Sequence, residues 1–289
     1  MMSDYAVIWT TDSGYFPGTN ASLNALEFYK NEVDVFILTW TDFLNGEYKS
    51  QWPGVRFLLL DRSIYPNRSA GWYLRFMDID FALKELFRNY KVVLFWSADQ
   101  CVVSNIMDFF EIAGKTGRPI LGTNEHGVHL RTFDQMSKEK PYKHTWSVPY
   151  TDQPVFVPRE ATAFLKMLIE YQSEEGCELS RMDGINYAVR DTGMRIIETP
   201  GELWIQNIPY RIFLQEFNHK IYLRGSSTQL FAFHRRYWDG TVCRDYLPGN
   251  DDRSIAIGKA NKILFNKFYN FFNRQCRVKW EQGIDVWNG

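Results

Sequence analysis

The 289 residues carry a formal net charge of −1, and 45% of them are hydrophobic. That is enough apolar material for a core and excludes a disordered chain, while near-neutrality excludes a global pull towards nucleic acid or an anionic membrane. Four scattered cysteines (Cys101, Cys177, Cys243 and Cys276) form no C-x-x-C pair, which argues against a zinc site or a disulfide framework.

The first 122 residues alternate strand and helix. Tyr5–Thr10 is a short apolar strand opening into Thr11–Asn20, a loop rich in Asp, Ser, Gly and Pro. Ala21–Asn31 has helical spacing through Leu23 and Leu26. Val33–Trp40 and Val55–Leu60 are continuously apolar, the pattern of strands buried on both faces. Ser69 suits the N-cap of a long helix reaching Asn89, with Trp72, Phe76, Ile79, Leu83 and Leu86 on one face. Lys91–Trp96 is a further strand, followed by a Ser97–Gln100 turn, a helix over Asn105–Ala113 and a strand over Pro119–Leu121. Strands separated by helices imply a mainly parallel sheet in a layered α/β domain.

Glu125–Tyr150 holds three of the five histidines and shows no period, so it reads as a long loop or a small antiparallel elaboration. Helices are expected at Arg159–Tyr171 and Ser180–Arg190, and short strands at Arg195–Glu198, Leu203–Gln206, Ile221–Arg224 and Gln229–Phe233. A last helix is expected over Ser254–Phe272. The run from Arg253 to Lys279 has seven Lys or Arg and no acid. It reads as the solvated face of that helix, with peripheral contact to an anionic membrane or polymer as the second reading. The chain therefore divides into an α/β half over 1–122, a second half of the same domain over 123–250, and a helical extension over 251–289. No charged leader with an apolar run precedes Tyr5 and no apolar segment reaches spanning length, so a cytoplasmic protein is expected.

In open α/β sheets, ligands bind beyond the carboxyl ends of the strands. Thr10-Thr11-Asp12, Asp61-Arg62 and Ser97-Ala98-Asp99 stand at such ends. The sequence has no G-x-G-x-x-G after the first strand and no G-x-x-x-x-G-K-[ST], which takes most of the weight from the dinucleotide and P-loop readings.

The order of these features resembles the GT-A glycosyltransferases, most of all family eight, the glycogenin and galactosyltransferase-like group. The likeness runs over roughly residues 5–240. Its first piece is Trp9-Thr10-Thr11-Asp12-Ser13-Gly14-Tyr15-Phe16-Pro17-Gly18, whose Tyr15 would pack on the nucleotide base. The stretch GWYLRFMDIDFALKELFRNYKVVLFWSAD then supplies Arg75 and a strand running into a trimmed Asp-x-Asp, Ser97-Ala98-Asp99. RMDGINYAV retains Asp183 and Asn186, the pair the resemblance places near the donor sugar, with Gly184 where a Gln would stand. LFAFHRRYWDG offers His234 as a further metal ligand. The resemblance implies a GT-A-like, Rossmann-type layered domain with a small antiparallel and helical C-terminal elaboration. Its first half would bind the nucleotide sugar and its second half the acceptor.

Plain readings stand beside these. Asp99 suits a helix cap, Asp12 a turn, and Asp183 a helix start; Tyr15 suits packing, Arg75 a solvated helix face, and His234 a structural strand position. On the functional reading, Thr10, Thr11, Asp12, Tyr15, Arg75, Ser97, Ala98 and Asp99 bind the donor, Asp183 and Asn186 act on the sugar, and Asp99 and His234 hold a divalent metal. Manganese or magnesium suits hard oxygen ligands with one imidazole. Ser97 is a neutral and poorer ligand, and the arginines Arg75, Arg224, Arg235 or Arg236 are an alternative means of neutralising the diphosphate. The expected activity is transfer of a sugar from a nucleotide-sugar donor, a UDP-sugar in the first place, to a hydroxyl acceptor such as a glycan, with retention implied by the resemblance. The acceptor is expected at Glu125–Tyr150 and Trp204–Tyr210. The rivals are a sugar-1-phosphate nucleotidyltransferase and a non-catalytic sugar- or nucleotide-binding relative.

Overall fold

The computed structural model describes residues 3–11, 16–40, 49–50, 55–60, 70–98, 100–123, 149–173, 181–205, 212–234, 252–273, 278–279 and 286–287. Eight strands form the central sheet: β1 (Tyr5–Thr10), β2 (Asp34–Trp40), β4 (Val55–Leu60), β5 (Val92–Phe95), β7 (Ile120–Thr123), β8 (Tyr150–Pro158), β9 (Ile197–Thr199) and β15 (Val286–Trp287). Their spatial order is β15-β4-β2-β1-β5-β8-β7-β9. Every neighbouring pair is parallel except the two made by β8, which runs against both β5 and β7. The fold is thus a mixed α/β layer built on a mainly parallel sheet, as the alternation of strand and helix predicts.

Six helices flank the sheet among the described residues. They are α1 (Phe16–Phe28), α2 (Ala70–Phe81), α3 (Met107–Thr116), α4 (Ala163–Ser173), α5 (Arg181–Thr192) and α6 (Asp252–Asn273). Helix α2 continues through a π-helical turn, Ala82–Leu86, and a last turn, Phe87–Asn89. The pleat sends Val7 and Trp9 to one face of β1 and Ala6 and Ile8 to the other. The first face packs with Leu23 and Leu26 of α1, Phe110 of α3, and Phe265, Phe268 and Phe272 of α6. The second packs with Phe76 and Ile79 of α2, Phe164 and Leu168 of α4, and Ile185 and Tyr187 of α5. Each such large side chain, taken out of water, contributes about 1.5–3 kcal/mol.

Two differences from the sequence reading have clear causes. Helix α1 begins at Phe16, inside the stretch expected to be loop, because Pro17 is tolerated in a first helical turn where its missing N–H has no intrahelical partner to lose. Polar residues in the first turns of this helix are buried tethers. Thr19 Oγ1 donates to Thr11 Oγ1 at 2.9 Å, Asn20 Nδ2 to Asn273 Oδ1 at 2.9 Å, and Asn24 Nδ2 to the Phe272 carbonyl at 2.8 Å. Strand β8 was hidden by Pro154 and Pro158, which speak against an interior strand. Pro158 is the strand's last residue, and Pro154 lies past the end of the β5 ladder, where the β7 register also shifts between Leu121 and Thr123. The ladder therefore has no bond there for the missing N–H to break.

Smaller sheets complete the second half. Strand β6 (Gln100–Val102) pairs antiparallel with β13 (Ala232–His234), which lies parallel to β10 (Trp204–Ile205). Strands β11 (Leu214–Phe217) and β12 (Lys220–Leu223) form a hairpin, and β3 (Lys49–Ser50) pairs with β14 (Val278–Lys279). Helix α6 joins these to the main layer. Asn261 Oδ1 accepts the Leu214 N–H at 3.1 Å, its Nδ2 donates to the Ile212 carbonyl at 2.9 Å, and the Phe265 ring stacks on Phe233 at 4.6 Å. No described helix is long and apolar enough to cross a membrane.

Candidate functional site

The chain runs from β1 outward through β2 and β4 on one side, then crosses to place β5 on the other side of β1. That reversal makes the β1/β5 boundary the topological switch point, where the connections diverge and leave a crevice at the carboxyl edge. Helices α1, α2 and α5 each lead into a strand parallel to β1, so all three first turns stand at that edge. Backbone dipoles there favour an anion.

Thr10 and Thr11 end β1 at the switch point. The Thr11 N–H donates to the Leu38 carbonyl at 2.9 Å. Its buried hydroxyl takes part in a chain in which Trp9 Nε1 donates to Thr19 Oγ1 at 3.3 Å and Thr19 donates on to Thr11. Ile8 lies beside Phe95 in the ladder, and the Trp96 N–H donates to the Ile8 carbonyl at 2.8 Å, so Ser97 and Ala98 follow directly at the same edge. The Gln100 N–H closes the turn onto the Ser97 carbonyl at 3.2 Å. From behind, the Gln100 carbonyl accepts Trp96 Nε1 at 2.9 Å and the Ser22 hydroxyl. The β6/β13 register sets His234 opposite Gln100, the residue that follows Asp99 in the chain.

Asp12, Tyr15 and Asp99 lie outside the described residues, as do Asp61, Arg62, Arg235, Arg236 and most of Glu125–Tyr150. Arg75 falls in α2 and His234 in β13, with only their backbone positions described. Among the described residues no three His, Cys, Asp or Glu side chains gather to hold a metal. One feature does fit a polar guest next to this turn. Gln100 is fully buried, and neither its amide oxygen nor its nitrogen has a hydrogen-bond partner among the described residues. An orphaned amide of this kind costs about 1–3 kcal/mol per polar group, and a polar guest would satisfy it.

Asp183 and Asn186 are both buried in the first half of α5. The two amide hydrogens of Asn186 are committed to carbonyls, Tyr150 at 2.7 Å and Met182 at 2.8 Å, while its oxygen accepts the Tyr150 N–H at 3.0 Å. Asn186 thus clamps the start of β8 to α5. Trp204, expected in an acceptor surface, is fully buried among Trp96, Phe109, Phe156 and Phe231, with Nε1 donating to Thr199 Oγ1 at 3.0 Å. It belongs to the core, where a large ring gains most from burial. Arg224 is exposed, its guanidinium 5.3 Å from the Phe213 ring centre.

The sequence reading missed an ion pair at this edge. Arg181, the first residue of α5, donates from Nη1 to Asp78 Oδ2 at 2.7 Å, and Asp78 is fully buried on α2. No spacing pointed to it: Asp78 lies off the helical face marked by Phe76 and Ile79, and its full burial, which makes a partner necessary, shows only in the fold. Burial pushes the Asp78 carboxyl above its usual range, opposed by the charge and hydrogen bond of Arg181.

No family model matches the chain, and no curated protein matches it. Among solved structures, it is similar to the galactosyltransferase LgtC in complex with donor and acceptor sugar analogues, at 11% identity over 88% of this chain and 95% of that one, with a TM-score of 0.47. The bifunctional glycosyltransferase WbbM matches at 13% identity over 71% of this chain, which spans 39% of that protein, with a TM-score of 0.46. A 4-diphosphocytidyl-2C-methyl-D-erythritol synthase from Anaerococcus prevotii matches at 12% identity over 68% of this chain and 88% of that one, with a TM-score of 0.43. At these identities no shared activity is read from the overlaps.

Proposed function

We propose that the chain is a glycosyltransferase that moves a sugar from a nucleotide-sugar donor, a UDP-sugar in the first instance, to a hydroxyl of a glycan or similar acceptor, with retention at the anomeric carbon. The observation that carries this reading is the convergence at the β1/β5 switch point. Thr10-Thr11 and Ser97-Ala98 end neighbouring strands there, beside the first turns of α1, α2 and α5. These are the segments, in the same chain order, on which the resemblance to GT-A enzymes rests. On this reading residues 1–122 form the donor side and 123–250 the acceptor side.

The bond from the anomeric carbon to the diphosphate breaks while a bond to the acceptor oxygen forms, and the acceptor proton is lost. Thr10, Thr11, Asp12 and Tyr15 hold the nucleoside, and Ser97, Ala98, Asp99 and Arg75 face the phosphates. Asp183 lies nearest the sugar, and Asn186 fixes the helix that carries it. Asp99 and His234 would hold a manganese or magnesium ion, and such an ion would supply Lewis-acid stabilisation of the leaving diphosphate.

Calorimetric titration with UDP, GDP, CDP and ADP, with and without manganese, tests the reading. One nucleoside diphosphate should bind, more tightly with manganese, and the matching nucleotide sugar should be turned over to free nucleotide. Affinity for free sugar with none for any nucleotide would contradict it and favour a sugar-binding relative.

A further inference from the structure

The Asp78–Arg181 pair stands where the proposed donor would place its phosphates. Arg181 opens α5 at the carboxyl edge, and its guanidinium carbon lies 5.4 Å from the ring centre of Phe95, the last residue of β5 and two residues before Ser97. Phe95 ends β5 and the Ser97 turn follows directly, so Arg181 packs against the strand end from which that turn departs. Asp78 uses both carboxylate oxygens, one on Arg181 and the other on the Ile79 N–H at 2.9 Å. Arg181 is less fully engaged. Its Nε is buried with no hydrogen-bond partner among the described residues, and its side chain keeps 12% exposure. The carboxylate is therefore spent on aiming a guanidinium that still has N–H groups to offer.

Stability alone is a poor reason for the arrangement, since well-packed apolar residues commonly replace a buried ion pair without loss. A planar fork held rigidly by a carboxylate, with donors to spare at a sheet edge that favours anions, is how an arginine is prepared for phosphate or carboxylate.

We propose that Arg181 is a donor-binding cation: held by Asp78, it contacts the diphosphate of the nucleotide sugar and shares the neutralisation of the leaving group. This rests on reading the β1/β5 crevice as a nucleotide-sugar site. It gives the charge-neutralising role to an arginine outside the set that the sequence suggested.

The test compares the nucleoside diphosphate that the wild type binds, from UDP, GDP, CDP and ADP, with its parent nucleoside. The variant is Asp78→Asn combined with Arg181→Gln, which removes both charges together and leaves two amides that can bond each other. It should fold with a wild-type circular dichroism spectrum, bind the nucleoside as the wild type does, and lose about tenfold or more in diphosphate affinity. Should that variant not fold, Arg181→Lys, which keeps a cation for Asp78 but not the fork, should show a smaller loss confined to the diphosphate. Unchanged diphosphate affinity in a folded variant would overturn the assignment. So would an equal loss for nucleoside and diphosphate, which would mark the pair as a structural tie. A wild type that binds none of the four nucleotides would instead sink the nucleotide-sugar reading itself, and this inference with it.

Discussion

Asn186, which the sequence places near the donor sugar, is a clamp in the fold. Its amide group is matched to one environment, two carbonyls for the nitrogen and one N–H for the oxygen. Replacing it with Ala removes these bonds and leaves buried backbone groups unsatisfied, for a loss of about 2–4 kcal/mol. Asn186→Asp should be worse, because a carboxylate would face two carbonyl oxygens where the amide nitrogen now donates. Chemical denaturation of the two variants checks this order, and an aspartate variant more stable than the alanine one would contradict the clamp. The Asp78–Arg181 pair follows the same logic. Arg181→Met alone leaves a buried carboxylate unpaired and should cost about 3–5 kcal/mol, with much of it restored by adding Asp78→Leu. A double-mutant cycle in urea reads the coupling directly.

At the scale of elements, strand β8 is held where its neighbour has no side chain. A Cβ added at Gly122 of β7 would stand 2.8 Å from Pro154 Cδ and 3.0 Å from the Gln153 carbonyl oxygen. Gly122→Ala should therefore destabilise the protein by about 1–3 kcal/mol through overpacking, visible as a lower melting temperature. The continuous apolar strands β1, β2, β4 and β5, the long helix to Asn89 and the final helix were legible because their apolar spacing is set by the same packing that buries them. Strand β8 was not, because its two prolines are tolerated through where the ladders end, which spacing does not reveal. The true start of α1 was hidden as well: Thr19 and Asn20 look like solvated loop until their tertiary partners are known. The candidate site divides in the same way. The strand-end positions Thr10, Thr11, Ser97 and Ala98 could be read from the chain, whereas Asp78 and Arg181 are 103 residues apart and only the fold joins them.

At the scale of the molecule, segments far apart in the chain are tied by buried phenols as well as by apolar contacts. Tyr90 donates to Asp34 Oδ2 at 2.8 Å, and Tyr150 to Glu198 Oε1 at 2.9 Å. Burial first, and the neighbouring carboxylate second, push both phenols above the ordinary value of 10.0. Above that pH the unfolded chain releases phenolic protons that the folded chain retains. Stability is therefore complete below pH 10.0 and falls as pH rises past it, by about 1.4 kcal/mol per pH unit for each phenol. Tyr90→Phe should make that alkaline decline shallower by one group's share, as measured by urea unfolding at stepped pH; an unchanged slope would contradict the retained proton.

On the proposed reading, the crevice at the β1/β5 switch point turns over a nucleotide sugar through groups that include Asp99. The most direct measurement is release of nucleoside diphosphate from a panel of nucleotide sugars by the wild type and by Asp99→Ala, with melting curves for both. The account predicts release by the wild type and a loss on the order of 10²-fold or more in the variant, at an unchanged melting temperature. Equal rates in the two folded proteins, or no release from any nucleotide sugar by the wild type, would contradict it.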